Sequence, residues 1–187
     1  MSTWSRRMLA GTLAALACCV LVIPASAGAA TARQERAMRE QAVRWALSQV
    51  GVRERGTTNC SPRINRWTSA MGLSHDPCPR WCGAFVHQAF LEGGARLSSR
   101  LIDPERSYED AIAGRRGLRR IAISKVRRGD ILFFAFRPGV KASHEAIVTG
   151  RHGGGYADTV EGNVGHAVRI KRRGLTYPVL AARVVLS

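Results

Sequence analysis

Cys82 is the residue of this sequence best placed to do chemistry. It stands in Trp81-Cys82-Gly83, where the proline-bearing stretch Asp76-Pro77-Cys78-Pro79-Arg80 gives way to the apolar run from Ala84 to Leu91. That change predicts a helix whose first turn carries the thiol. N–H groups of a first helical turn have no intrahelical partner, and the positive end of the helix dipole favours thiolate over thiol. A cysteine so placed can have its pKa drawn from about 8.5 into roughly 3.5–7.5. A lone cysteine is more often an inert small hydrophobe, so its partners decide.

Thiol catalysis needs a base near the nucleophile and a third group to orient the base. The chain has 5 histidines. His87 falls on the Cys82 helix and points away from the thiol. His75 lies in a candidate disulfide loop, His152 in a glycine-rich turn, and His166 at a strand start. His144 heads a strand just before Ile147-Val148, so its ring can project from a sheet edge toward a packed helix end. Glu161 and Asn163 flank Gly162. Two residues apart on an extended segment, they are expected on one face, where either can accept the second imidazole N–H and set the tautomer. Trp81 has two readings, the wall of a substrate cleft or an aromatic of the core.

These residues need a frame. Apolar residues at helical spacing predict a helix from Arg33 to Val50, stopped by Gly51. Pro62 to Met71 reads as a second helix, and the Cys82 helix ends at Gly93-Gly94. Pro104 to Ala113 is a fourth, with Asp103 as N-cap. The period then changes. Strands are expected at Ile131–Phe136, Ser143–Gly150, Tyr156–Glu161, Ala167–Lys171 and Ala182–Leu186. Helices followed by a run of strands indicate an α+β fold, N-terminal helices packed on an antiparallel sheet.

The first thirty residues read as a secretory signal: Arg6-Arg7, an apolar stretch from Met8 to Ile23, and Pro24-Ala25-Ser26-Ala27 with cleavage near Ala27 or Ala30. The apolar run is short for a membrane anchor. Ser5 to Leu9 loosely resembles a twin-arginine signal, and Leu16 to Cys19 weakly resembles a lipoprotein signal. Residues 31–187 form one expected domain. Removing the signal leaves Cys60, Cys78 and Cys82, which suggests one bridge and one free thiol. Cys60–Cys78 is the economical pairing, worth about 3 kcal/mol of loop entropy; Cys78–Cys82 is its rival, and a three-cysteine zinc site lacks the paired spacings.

The chain has 29 basic and 13 acidic residues, and only Arg6 and Arg7 leave with the signal. An exported protein this basic is suited to a polyanion such as a phosphate- or carboxylate-bearing wall polymer; an arginine-rich composition is the plainer reading. Interleaved aromatics and nucleic-acid motifs are missing, so nucleic acid is not the expected partner. The charge is spread over small clusters, Arg115-Arg116, Arg119-Arg120, Arg127-Arg128 and Lys171-Arg172-Arg173.

Four segments in order carry a family resemblance: Arg80-Trp81-Cys82-Gly83-Ala84-Phe85-Val86, Arg128-Gly129-Asp130-Ile131-Leu132-Phe133-Phe134, Ser143-His144-Glu145-Ala146-Ile147-Val148, and Thr159-Val160-Glu161-Gly162-Asn163. The stretch from Gln49 to Ile170 resembles the CHAP amidase/peptidase family, which is papain-like and cleaves bacterial peptidoglycan. The resemblance implies Cys82 as nucleophile, His144 as base, Glu161 as orienting group and Asn163 as a further polar member. It implies no metal or organic cofactor, and the chain is expected to act as a monomer on peptidoglycan. Two departures stand out: Gly83 where the family often has Ala, and Glu145-Ala146 in place of Val-Gly after the histidine. A silent basic wall-binding module and a secreted antibacterial or papain-like toxin enzyme are the competing functions. Intact Cys82, His144 and Glu161 argue against silence.

Overall fold

The computed structural model describes residues 27–73, 78–97 and 103–186. Most of the expected signal segment, and His75, lie outside the described residues. Four helices come first: α1 (Ala27–Ser48), α2 (Pro62–Ser69), α3 (Cys82–Glu92) and α4 (Pro104–Ile112). Six strands then follow the helices: β1 (Leu118–Ile121), β2 (Ile131–Phe134), β3 (His144–His152), β4 (Tyr156–Val164), β5 (Ala167–Gly174) and β6 (Leu180–Val184).

The helices form where the sequence supplies stripes and caps. Met38, Ala42, Val43 and Ala46 give α1 one buried stripe. Ser61 caps α2, its hydroxyl accepting the Ile64 N–H at 3.4 Å, with Pro62 in the first turn. Asp103 caps α4 through the Glu105 N–H. Helix α3 is apolar nearly all round and is buried almost throughout. It lies between α1 and α2 on one side and the sheet on the other, whereas α4 packs on β1. Among the described residues no helix is long and apolar enough to cross a membrane.

The sheet is antiparallel at every pairing, in the order β1-β6-β2-β3-β4-β5. β2 to β5 form a meander, and β6 returns to pair with the free edge of β2. Strand alternation divides the apolar residues between two cores. Ile131, Phe133, Ile147, Val160 and Val168 face the helices. Leu132, Phe134, Ala146, Val148 and Ala157 face the other side.

The sheet has one strand more than the five expected. β1 is Leu-Arg-Arg-Ile, with only Leu118 buried, so as an edge strand it carries no apolar run or clean alternation. Its pairing with β6 makes it a strand. At the other end, a β-bulge interrupts β4–β5 pairing between Glu161 and Val164. Gly162 in that stretch has no room for a side chain: a Cβ there would stand 2.6 Å from the Phe85 Cβ and 2.8 Å from the Trp81 ring. The first turn of α3 is thus pressed against β4.

Candidate active site

Cys82 is the first residue of α3 and only 6% exposed. A disulfide joins Cys60 to Cys78 and leaves Cys82 as a free thiol, which removes two of the sulfurs a zinc site would need. Trp81 stands at the N-cap and makes no side-chain cap, so the first-turn N–H groups stay open. Backbone N–H groups of Gly83, Glu145 and Cys82 itself lie near the sulfur and favour its charged form. The start of α3 therefore meets the start of β3, where Glu145 follows His144.

The expectation of an acidic thiol is not met in this resting state. Burial, and then the Glu145 charge, push Cys82 up to about 12 despite the nearby backbone N–H groups. Desolvation penalises the charged form more than the helix end favours it. Glu145 is itself buried, with Oε1 unpartnered, and burial and the Asp103 charge hold its carboxyl well above the usual range.

His144 opens β3, opposite Phe134 in β2. Its Nε2 lies 2.8 Å from Glu161 Oε2. Phe136 holds the ring from one side, with centroids 5.7 Å apart, and the Ser143 hydroxyl accepts the Phe136 N–H at 2.9 Å to keep that turn closed. Among the described residues no hydrogen bond joins the Cys82 sulfur to His144. Apo active sites often leave this contact long.

Glu161 has no exposed surface. Arg173 of β5 grips it with both arms of the guanidinium, Nε donating to Oε1 at 2.8 Å and Nη2 to Oε2 at 2.6 Å. The Thr159 hydroxyl donates to Oε1 as well. Burial alone would raise this carboxyl, but hydrogen bonds from Arg173, His144 and Thr159 bring it down to about 2. Arg173 also lies over Phe134 and Phe136, at 5.2 and 5.4 Å from the ring centroids. Sequence reading missed this residue. It is one of three consecutive basic residues; the β4–β5 register sets it opposite Ala157, and its side chain reaches along the sheet to Glu161.

Asn163 does not share a face with Glu161. It sits in the bulge at φ 59°, and its Nδ2 donates to Asn59 Oδ1 at 3.3 Å. The extended alternation assumed from sequence ends at Gly162. Trp81 is corrected too: with no exposed surface it cannot wall a cleft. Its ring packs near Trp67, and its Nε1 donates to Glu54 Oε1 at 2.9 Å. Glu54 also accepts from the Asn59 N–H at 3.0 Å and contacts His166 Nδ1 at 2.9 Å. Burial opposes its ionisation, but these bonds, led by Trp81, hold Glu54 below the usual carboxylate range. Glu54 is thus a second residue that sequence reading missed, far from Trp81 in the chain and tied to it only in the fold. His87 is buried with Nδ1 unpartnered, and burial lowers its pKa to about 4, so it stays neutral at pH 7.

Helices in front of an antiparallel sheet, with a cysteine at a helix start and a histidine at a strand start, define a papain-like α+β fold. Solved structures agree. The chain is similar to the Resuscitation Promoting Factor Interacting protein RipA in a histidine-mutated form, at 19% identity and a TM-score of 0.52. That match covers 83% of this chain and 65% of the RipA chain, so the chain spans about two thirds of that relative's length. It is also similar to the peptidoglycan hydrolase RipB from Mycobacterium tuberculosis, at 19% identity and TM-score 0.52, covering 83% of this chain and 68% of RipB. A P60 domain from a M. avium paratuberculosis antigen matches at 17% identity and TM-score 0.52, covering 83% and 98%. No protein-family model and no curated protein matches the chain.

Proposed function

We propose that this chain is an exported peptidoglycan hydrolase that opens an amide bond through a thioester on Cys82. His144 acts as acid and base, and Glu161 orients it. One observation carries the reading: Arg173, Glu161 and His144 form a hydrogen-bonded line that ends at the start of β3, a strand against which α3 packs. The four CHAP-like segments, the expected signal, the Cys60–Cys78 bridge and the likeness to RipB support it.

With Nε2 committed to Glu161, Nδ1 is the imidazole nitrogen left for proton transfer. The thiol is neutral at rest, so His144 takes the sulfur's proton as the sulfur attacks the amide carbonyl carbon. Open N–H groups of the first α3 turn receive the oxyanion. The C–N bond breaks as His144 returns the proton to the leaving amine. His144 then deprotonates a water that attacks the thioester, releasing the acid and restoring the thiol. The bond is either the amide at the glycan junction or one within the wall peptides. Replacing Cys82 with Ala should abolish clearing of purified cell walls; clearing at the wild-type rate sinks the proposal.

A further inference from the structure

Away from Cys82, a cleft of about 430 Å³ opens between the N-terminal half of α1, β1, β6 and the turn before β2. Six arginines line it: Arg36, Arg39, Arg119, Arg127, Arg128 and Arg183. Three are held by partners. Arg183 binds Asp130 through two 2.7 Å bonds, Arg128 Nε donates to Glu40 at 2.9 Å, and Arg39 donates to the Val184 carbonyl at 3.1 Å. Arg36, Arg119 and Arg127 are exposed, and among the described residues their side chains have no acidic partner. The walls are rigid where they meet. Gly129, at φ +82°, lies so close to α1 that a Cβ would stand 2.6 Å from the Arg39 Cβ. That contact fixes the Arg127–Arg128 turn against the helix. Burial and then the Arg183 charge lower the Arg39 pKa, against the opposing pull of Asp130 and Glu35.

We propose that this cleft binds phosphodiester groups of an anionic wall polymer, holding the protein on its substrate. Its three free guanidinium forks suit phosphate oxygens. The lining contains only alanine, glutamate and arginine. A nucleic-acid strand needs aromatic faces on which bases stack, and none is present in that lining. The turn carrying Arg127 and Arg128 precedes β2, whereas His144 pairs with Phe134 at the strand's far end. Retention and cleavage can therefore occur together. The wall setting rests on the function proposed above; the binding does not require catalysis.

Binding is measured with the full chain carrying Cys82→Ala, so that nothing is turned over, against purified poly(glycerol phosphate). Arg36→Ala/Arg119→Ala/Arg127→Ala should weaken binding by about tenfold or more at low salt and flatten the log–log salt dependence by about two. Arg55→Ala/Arg63→Ala/Arg66→Ala removes as much charge elsewhere and should leave most of the affinity. Equal losses in the two triple variants, or no loss in the first, overturn the proposal. So does tighter binding of oligo(dT), or equally tight binding of polyglutamate, which would make the cleft a nucleic-acid site or a general charge trap. These outcomes are independent of wall clearing by the protein with Cys82 intact.

Discussion

Arg173→Gln tests the buried line behind His144 most severely. Glu161 is fully buried and lies at about 2 against an ordinary value of 4.5. A depression of that size corresponds to about 3 kcal/mol. Because the folded value is lowered, the contribution is fully present above pH 4.5 and is lost as pH falls through about 2. The largest hydrogen-bond contribution comes from Arg173. Glutamine in its place leaves a buried carboxylate with only His144 and Thr159. We expect a loss of about 3 kcal/mol at pH 7, within the range for breaking one side of a buried pair. That is roughly 6–12 °C in Tm for a chain of this size. The assay is urea unfolding at pH 7 and pH 3, with hydrolysis measured alongside. The deficit should shrink at pH 3, where the stranded carboxyl can take a proton. Adding Glu161→Gln should recover stability, since no charge is then left stranded, but not activity. Wild-type stability in Arg173→Gln, or additive losses in the double variant, would refute the reasoning.

Three further outcomes follow from the same geometry. Trp81→Phe removes the N–H from Glu54 and leaves a smaller ring in a fully buried site, so it should cost at least about 1–3 kcal/mol in denaturant unfolding, and a raised KM without lost stability would contradict the buried placement. Glu145→Gln removes the charge that pushes the Cys82 thiol up, so iodoacetamide should alkylate Cys82 faster at pH 9 than in the wild type; an equal or slower rate would count against that coupling. Reducing Cys60–Cys78, or replacing both with Ser, should cost about 3 kcal/mol, seen as a lower unfolding midpoint, while Cys82 remains the single free thiol of residues 31–187 on titration of the untreated protein.

Much of the frame was legible because its signals are local. The cap at Asp103, the Gly51 stop and the apolar runs at Ala84–Leu91 and Ile131–Phe136 lie within a few residues of the structure they specify, although β2 ends at Phe134. Counting gave one bridge and one free thiol with Cys60–Cys78 as the economical pairing, and the fold selects it over Cys78–Cys82. β1 was not legible, because Arg119 and Arg120 belong to an edge strand whose only organiser is β6. Arg173 was not legible either: the register puts Arg169 opposite Glu161, and only the reach of the Arg173 side chain from its place opposite Ala157 selects it among three basic residues. Asn163 was misplaced because a two-residue spacing implies one face only while the strand stays regular, and a bulge intervenes. The thiol's pKa was misjudged for a different reason. A helix start is visible in sequence, whereas burial and the neighbouring Glu145 are properties of the fold.

The central claim is that Cys82 opens an amide in peptidoglycan. Mass spectrometry of the fragments released from purified walls tests it most directly. The wild type should release fragments bearing a new free amine, and Cys82→Ala none. Identical fragments from the variant would contradict it, as would products whose new ends are reducing sugars.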